Sequence, residues 1–209
     1  MEAFGLVHLY YGEGKGKSTA AAGLALRALK AGAVVLIVRF LKSESYESGE
    51  TELLKEAGAF IVNGKTDHKF VRKMDGEEKK QLKACQDKIL RSIIEGGDDD
   101  PSVNAMDEGE KKGSKRSFDE ISSLLRESKR SGKNVLLVLD EVLNACTYGL
   151  LDEELLRGLL ANRPERWEIV LTGRDPKEWM TDEADYVTEF KCVKHAYDAG
   201  IRARRGIEY

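Results

Sequence analysis

The chain has 209 residues, a net charge of −3 and a calculated pI near 5.8. This length accommodates one domain with a sizeable core, and the slight acidic surplus argues against a nucleic-acid-binding protein, which usually carries a basic excess. The three cysteines are far apart and form no metal-ligand or disulfide pattern, and no apolar run approaches the ~20 residues that span a bilayer. We therefore expect a cytoplasmic protein that contacts neither membrane nor nucleic acid.

Four apolar runs predict strands that are buried on both faces. They occupy residues 5–11, 33–40, 134–141 and 167–173. The runs are rich in Val, Ile and Leu and do not alternate with polar residues, which is typical of strands inside a parallel sheet.

Helical patterns fill most of the remaining chain, at residues 17–32, 76–97, 117–132 and 152–164. Ser117 and Glu120 have the spacing of a capping box, which predicts that the third helix begins there. Gly32 and Gly132 follow two of the patterns, where a helix commonly ends. Because strands and helices alternate, we predict a three-layer α/β domain with a mostly parallel central sheet.

A charged segment at about residues 96–117 interrupts this alternation. It has acidic and then basic residues with Gly, Pro and Ser, and almost no apolar side chain. We predict a mobile surface insertion within a single domain that covers residues 1–209, because such a segment cannot bury a core of its own. A lid or a partner-docking segment is the alternative interpretation.

The stretch "GEGKGKS" (12–18) predicts a phosphate-binding loop that is one residue shorter than usual. Three residues instead of four separate Gly12 from Gly16, and Tyr11 stands where the first glycine is expected. The loop follows a predicted strand and opens a predicted helix, so its backbone N–H groups and the helix N-terminus can bind phosphate. Lys15 and Lys17 add positive charge. The pattern indicates a P-loop NTPase-like, RecA-like fold.

Polar residues that follow two other strands complete the predicted site. Asp140 and Glu141 end the strand "VLLVLDE", and either carboxylate can hold Mg²⁺ or Mn²⁺ opposite the Ser18 hydroxyl. Arg174 in "LTGRDP" can bind phosphate oxygens with its planar guanidinium. No side chain stands out as the general base that a hydrolase needs.

Five stretches, in this order along the chain, are similar to one enzyme family. They are "YYGEGKGKSTAAAGLALRA", "VVLIVRFLKS", "LLVLDEVLNACTYGLL", "LANRPERWEIVLTGRDP" and "ADYVTEFKCVKHAYDAGIRARRGIEY". They cover well over half of the chain, and the last is far more specific than a phosphate loop. The chain resembles the P-loop ATP:corrinoid adenosyltransferases of cobalamin biosynthesis, also called cob(I)alamin adenosyltransferases.

The resemblance implies a reaction and its site. In this family the short loop is associated with ATP in a reversed orientation, and Co(I) of a reduced corrinoid attacks the ribose 5′-carbon and expels triphosphate. Transferred to this chain, the resemblance implies catalytic roles for Lys17, Glu141 and Arg174, and metal binding by Ser18 with Asp140 or Glu141. The implied ATP-binding residues are Gly12, Glu13, Gly14, Lys15, Gly16, Lys17, Ser18, Thr19, Arg27 and Arg174.

The corrinoid side of the site departs from the family pattern. The expected phenylalanine–tryptophan pair is absent from residues 62–80, where Phe70 is the only aromatic residue. Phe70 is the candidate corrinoid contact, and His195 and Tyr197 in the last stretch are candidates to line either the corrinoid or the nucleotide. The resemblance also implies a flavoprotein reductant and a homodimer. Two alternatives stay open: a P-loop kinase or ATPase that acts on the γ-phosphate, and a nucleotide-gated corrinoid-binding protein without turnover.

Overall fold

The central element is one six-stranded, parallel β-sheet. The computed structural model describes residues 4–43, 49–65, 70–97 and 112–207. The strands are β1 (Val7–Tyr11), β2 (Val34–Ser43), β3 (Phe60–Lys65), β4 (Val135–Asp140), β5 (Trp167–Gly173) and β6 (Tyr186–Glu189). Their order is β3-β2-β4-β5-β1-β6, with every neighbouring pair parallel. The predicted α/β class with a parallel sheet is confirmed, and the arrangement is P-loop NTPase-like.

Helices cover both faces of this sheet, as the alternating pattern predicts. They are α1 (Lys17–Lys30), α2 (Gly49–Glu56), α3 (Gly76–Gly97), α4 (Lys112–Arg130), α5 (Val142–Thr147), α6 (Glu153–Ala161) and α7 (Glu178–Asp182). Two 3₁₀ turns, Val71–Lys73 and Ala196–Ala199, lie outside these layers. None of the described helices is long and apolar enough to cross a membrane.

The two faces of the sheet bury cores of different character. One face packs large residues of the sheet against α3, α4 and α6, with Trp167 almost fully buried at its base. The other face packs against α1 through Ala21, Ala25 and Ala28. Because alanine is small and buries one stripe of α1, this helix can lie close to the sheet and bring the loop at its N-terminus to the strand ends.

The sequence patterns miss two strands and misplace one helix start. β3 and β6 are the two edge strands of the sheet, the second half of β3 (residues 63–65) has no apolar side chain, and β6 is exposed, so neither has the continuous apolar run of a central strand. Ser117 is not an N-cap, because α4 already begins at Lys112. Lys and Arg are good helix formers, and they let this helix continue in front of Ser117.

The end of the predicted insertion is helical. α3 ends at Gly97, as its helical pattern predicts, but α4 begins at Lys112, so the backbone over residues 112–117 is helical where a loop was predicted. Residues 98–111, the middle of the predicted insertion, lie outside the described residues.

Candidate functional site

The glycine-rich loop connects the end of β1 to the start of α1. Gly16 is the N-cap of α1 and has φ of 113°, a left-handed conformation that glycine adopts without a steric penalty. Lys17 Nζ donates to the carbonyl oxygens of Gly12, at 2.6 Å, and Gly14, at 2.9 Å. Burial lowers the pKa of Lys17. The loop thus brings an ammonium group to a helix N-terminus, a setting that favours anions.

The loop lies against the segment that follows β6. Gly14 N donates to Phe190 O at 2.6 Å, and Phe190 N donates to Tyr11 O at 2.7 Å. A Cβ atom at Gly12 or at Gly14 would come within 2.6 Å of Phe190 O. These two positions therefore require glycine because the backbone after β6 approaches too closely for any side chain. The Gly14 N–H is therefore used in a hydrogen bond inside the protein.

Asp140 is the centre of a hydrogen-bond network at the carboxyl end of β4. Its Oδ1 accepts from Ser18 Oγ at 2.8 Å and from Thr172 Oγ1 at 2.7 Å, and its Oδ2 accepts from Lys42 Nζ at 2.7 Å. The residue is only 4% exposed. Burial alone would raise the pKa of Asp140, but the Lys42 ammonium and the hydrogen bonds from Thr172 and Ser18 together hold it below its ordinary value.

Glu141 differs from Asp140 in its surroundings. It has a left-handed backbone with φ of 62°, and its N–H donates to Thr172 Oγ1 at 3.0 Å. Within the part of the chain that the structure describes, its carboxylate accepts no hydrogen bond. Burial and the neighbouring Asp140 charge raise the pKa of Glu141, against the opposing effect of Lys42 and Lys17. Left-handed backbone is uncommon for a residue other than glycine and is a recurrent feature of functional positions.

Arg174 lies at the carboxyl end of β5, beside the phosphate loop. Its backbone N–H donates to Asn144 Oδ1 at 2.8 Å, and its guanidinium forms an ion pair with Glu13 of the loop. A Cβ atom at Gly173 would come within 2.6 Å of Asn144 Oδ1, so close packing against α5 sets the direction of the chain here. The structure therefore brings together four of the predicted elements: the loop, Ser18, the two carboxylates and Arg174.

The other predicted residues lie around this centre or away from it. Lys15 Nζ donates to Ile207 O at 3.2 Å, which ties the loop to the C-terminal segment, and Thr19 is exposed on α1. Arg27 is also exposed and lies ten residues beyond Lys17, roughly 15 Å along the helix axis. His195 is exposed, and its Nδ1 accepts from Tyr197 N at 3.1 Å.

Phe70, the remaining aromatic candidate, and His8, a histidine of β1, have different surroundings. Phe70 is 69% exposed and precedes the turn Val71–Lys73, whose Val71 packs with a small cluster of Met74, Leu82 and Leu150. His8 is paired with Glu168 at 2.7 Å and stacks on Tyr186, consistent with a structural histidine.

Four residues of the site have no individual signal in the sequence: Lys42, Asn144, Thr172 and Phe190. Lys42 and Thr172 lie near the carboxyl ends of β2 and β5, where ligands of parallel sheets bind. Since β2 and β5 are the two neighbours of β4, the strand order brings both side chains to Asp140. The position of Lys42 and Thr172 at strand ends was visible in the sequence, but that position does not show that Asp140 is their hydrogen-bond partner.

The oxygen donors at this edge suit a hard divalent cation. Ser18, Asp140 and Glu141 offer a hydroxyl and carboxylates, the ligand types that Mg²⁺ prefers. No group of three or more His, Cys, Asp or Glu side chains that could hold a metal is found in residues 4–43, 49–65, 70–97 and 112–207. Mg²⁺ is commonly held by one or two carboxylates together with the phosphates of a substrate, so two carboxylates and a hydroxyl fit it.

The fold and this site define a P-loop nucleotide-binding protein with a shortened loop. Comparison with known proteins then identifies the family. The family model described as "ATP:corrinoid adenosyltransferase BtuR/CobO/CobP" matches residues 3–108 and 102–209. The chain belongs to this family and is an enzyme of the transferase class, which confirms the resemblance seen in the sequence.

Individual relatives agree over nearly the whole chain. A corrinoid adenosyltransferase of Sinorhizobium sp is 29% identical, over 98% of this chain and 80% of that protein. The corrinoid adenosyltransferase CobA of Salmonella typhimurium is 29% identical, over 100% of this chain and 87% of that protein. A corrinoid adenosyltransferase of Pseudomonas aeruginosa is 28% identical, over 98% of this chain and 84% of that protein.

Proposed function

We propose that this enzyme transfers the 5′-deoxyadenosyl group of ATP to Co(I) of a reduced corrinoid and releases triphosphate. The observation that supports the proposal is that this chain, a member of the family, has the shortened loop, with Lys17 at the N-terminus of the helix that follows and Arg174 beside the loop. In this reaction a Co–C bond forms with both electrons from cobalt, and the bond between the 5′-carbon and the triphosphate oxygen breaks. The triphosphate leaves with the electron pair of that bond.

The residues of the site match what this reaction demands. Co(I) is itself a strong nucleophile, so the protein has no proton to remove and needs no general base. The protein must instead align the cobalt with the 5′-carbon and stabilise the negative charge that develops on the leaving oxygen. Lys17, Lys15 and Arg174 are the positive groups on and beside the loop that serve this second role.

Three side chains of the described site would hold Mg²⁺ or Mn²⁺. Ser18, in the first turn of α1, donates to Asp140, and Glu141 directly follows Asp140 at the carboxyl end of β4. When bound, the metal would neutralise triphosphate charge and so improve the leaving group. Glu141 is our candidate for the direct carboxylate ligand, because Asp140 already accepts three hydrogen bonds from the protein.

The corrinoid is proposed to lie at the same edge of the sheet. Phe70 follows β3 there, and its exposed ring is available for an apolar face of the macrocycle. His195 and Tyr197, in the C-terminal segment, are further candidates for corrinoid contact. Cobalamin and cobyrinic acid diamide are the candidate substrates, and a flavoprotein is the candidate reductant.

A homodimer in the cytoplasm is the proposed working form. Its support lies in the C-terminal segment, where nearly every residue from Tyr186 to Ile207 is exposed. The large apolar residues of this segment include Val187, Val193, Tyr197 and Ile201. A monomer rarely exposes so many large apolar side chains in one segment. Sedimentation of the protein over a concentration series would show a dimer, and a monomer at all concentrations would contradict it.

Product analysis under strict anaerobiosis tests the reaction. The protein is mixed with ATP, Mg²⁺ and chemically reduced cob(I)alamin, and both the corrinoid spectrum and the phosphate products are followed. We expect a light-sensitive alkylcobalamin and inorganic triphosphate. ADP and orthophosphate with unchanged corrinoid would instead show a kinase-like or ATPase reaction. Tight corrinoid binding without any product would identify a nucleotide-gated binding protein.

A further inference from the structure

The end of β2 extends past the end of β4, at the edge of the sheet that carries the phosphate loop. Pairing of β2 with β4 ends where Arg39 lies opposite Asp140, and pairing with β3 shifts register between Arg39 and Ser43. A hydrogen bond from α3 fixes the backbone of this irregular stretch, because the buried Gln86 donates from Nε2 to Phe40 O at 2.7 Å. The backbone of Lys42 therefore follows a hydrogen-bonded stretch and lies beyond Arg39, the last residue of β2 that pairs with β4.

Lys42 is the cation that neutralises the buried carboxylate of Asp140. Its Nζ lies 2.7 Å from Asp140 Oδ2, and its side chain is about a quarter exposed, at 27%. Lys17, the cation expected at this site from the loop pattern, instead donates to the loop carbonyls of Gly12 and Gly14. A buried carboxylate requires a partner because its desolvation is costly, and Lys42 provides it.

Lys42 cannot keep this contact without cost once a divalent cation binds next to Ser18. A metal ligated by Ser18 or Asp140 would stand within a few ångströms of the Lys42 ammonium, and like charges at that distance repel strongly in a partly buried site. The triphosphate that accompanies the metal carries negative charge to the same edge of the sheet. An ammonium on a flexible side chain can then exchange one anionic partner for another.

A second ion pair at the site has the same character. Arg174, the guanidinium proposed to bind phosphate, is paired with Glu13 of the loop. Two cations that border the phosphate region thus each hold a carboxylate of the protein: Arg174 holds Glu13 and Lys42 holds Asp140. Binding of a metal–triphosphate group can replace both internal pairs, because its phosphate oxygens can accept from the two cations and its metal can stand beside Asp140.

We propose that Lys42 is a phosphate-binding residue that exchanges Asp140 for the triphosphate when the metal–nucleotide complex binds. This inference rests on the proposed function, which places a triphosphate and a divalent cation at this edge. It assigns Lys42 two roles. It keeps divalent cations from binding to Asp140 in the absence of nucleotide, and it adds a positive charge to the leaving group in its presence.

The first experiment compares Lys42→Met with Lys133→Met, which removes an exposed lysine before β4, at the opposite end of the sheet. Mn²⁺ binding to the nucleotide-free protein is measured by electron paramagnetic resonance. For Lys42→Met we expect Mn²⁺ to bind about tenfold more tightly, because the ammonium that competes with the metal for Asp140 is removed. Lys133→Met should leave the Mn²⁺ affinity unchanged. Unchanged or weaker Mn²⁺ binding by Lys42→Met would overturn the exchange.

A second experiment avoids leaving a buried charge unpaired. Asp140→Asn is compared with the double variant Asp140→Asn/Lys42→Met, using tripolyphosphate without divalent metal. In this background Lys42 has no carboxylate to hold, so its removal should weaken tripolyphosphate binding about tenfold. Equal affinity of the two variants would overturn the proposal. Neither experiment uses a corrinoid or turnover, so a negative result would reject the exchange at Lys42 without contradicting the proposed reaction. Conversely, a different product in the anaerobic assay would reject the proposed reaction without contradicting the exchange.

Discussion

Replacing Gly14 by alanine tests the contact between the phosphate loop and the backbone after β6. A Cβ atom at Gly14 would lie 2.6 Å from Phe190 O and 2.7 Å from Phe190 C. Both atoms are backbone, so no side-chain rotation relieves the overlap, and the loop must move by roughly 0.8 Å to restore ordinary contact. The hydrogen bond from Gly14 N to Phe190 O, at 2.6 Å, would be strained or lost.

This movement should reduce both stability and ligand binding. We expect a loss of about 2 kcal/mol in the free energy of unfolding, from overpacking and the weakened hydrogen bond. For a domain of this size that corresponds to a fall of about 4–8 °C in melting temperature. Because the loop sets the position of Lys17, Mg²⁺–tripolyphosphate affinity measured by calorimetry should fall by about tenfold or more.

The matched control is Gly158→Ala in α6, where an added Cβ atom meets nothing within 4 Å. This change should stabilise the helix by about 0.5–1 kcal/mol, since glycine is a poor helix former, and should leave ligand binding unchanged. A Gly14→Ala protein with the melting temperature and the tripolyphosphate affinity of the wild type would refute the close approach between loop and β6 segment.

Three further variants test the remaining assignments. Lys17→Ala should weaken tripolyphosphate binding by about 10–100-fold, because a charge-assisted contact is removed, while Lys30→Ala at the other end of α1 should bind normally; equal affinities would contradict the role of Lys17. Glu141→Gln should raise the melting temperature near neutral pH, because burial raises the pKa of Glu141 above 4.5 and folding therefore disfavours its ionised form. The difference should shrink as the pH falls toward 4.5, as melting curves from about pH 4 to about pH 8 would show, and a constant difference would contradict the cause given. Phe70→Ala should slow reduction of the bound Co(II) corrinoid while ATP binding stays unchanged and stability changes by less than about 0.5 kcal/mol, because the ring is exposed. If a strong chemical reductant does not restore transfer in this variant, Phe70 does not act on the cobalt ligand.

Local patterns predict the elements that carry their own signal. The runs that became β1, β2, β4 and β5 are apolar because each of these strands has neighbours on both sides and helices on both faces. The loop was recognisable since glycine spacing, a lysine and a helix start occur within seven residues. β6 escaped detection because it is exposed at the sheet edge and needs no apolar run. The helix start at Ser117 was wrong because a capping-box spacing also occurs inside helices.

The sequence by itself therefore determined the fold class, the phosphate loop, the two carboxylates at the end of β4 and, through five ordered stretches, the family. All of these depend on residues that are close together in the chain. Only the tertiary structure decided which groups meet. Lys42 and Thr172 reach Asp140 because β2 and β5 are the neighbours of β4, and Phe190 requires glycine at positions 12 and 14 because the segment after β6 passes over the loop. Strand order and backbone approach join residues that are far apart in sequence, so no local pattern records them.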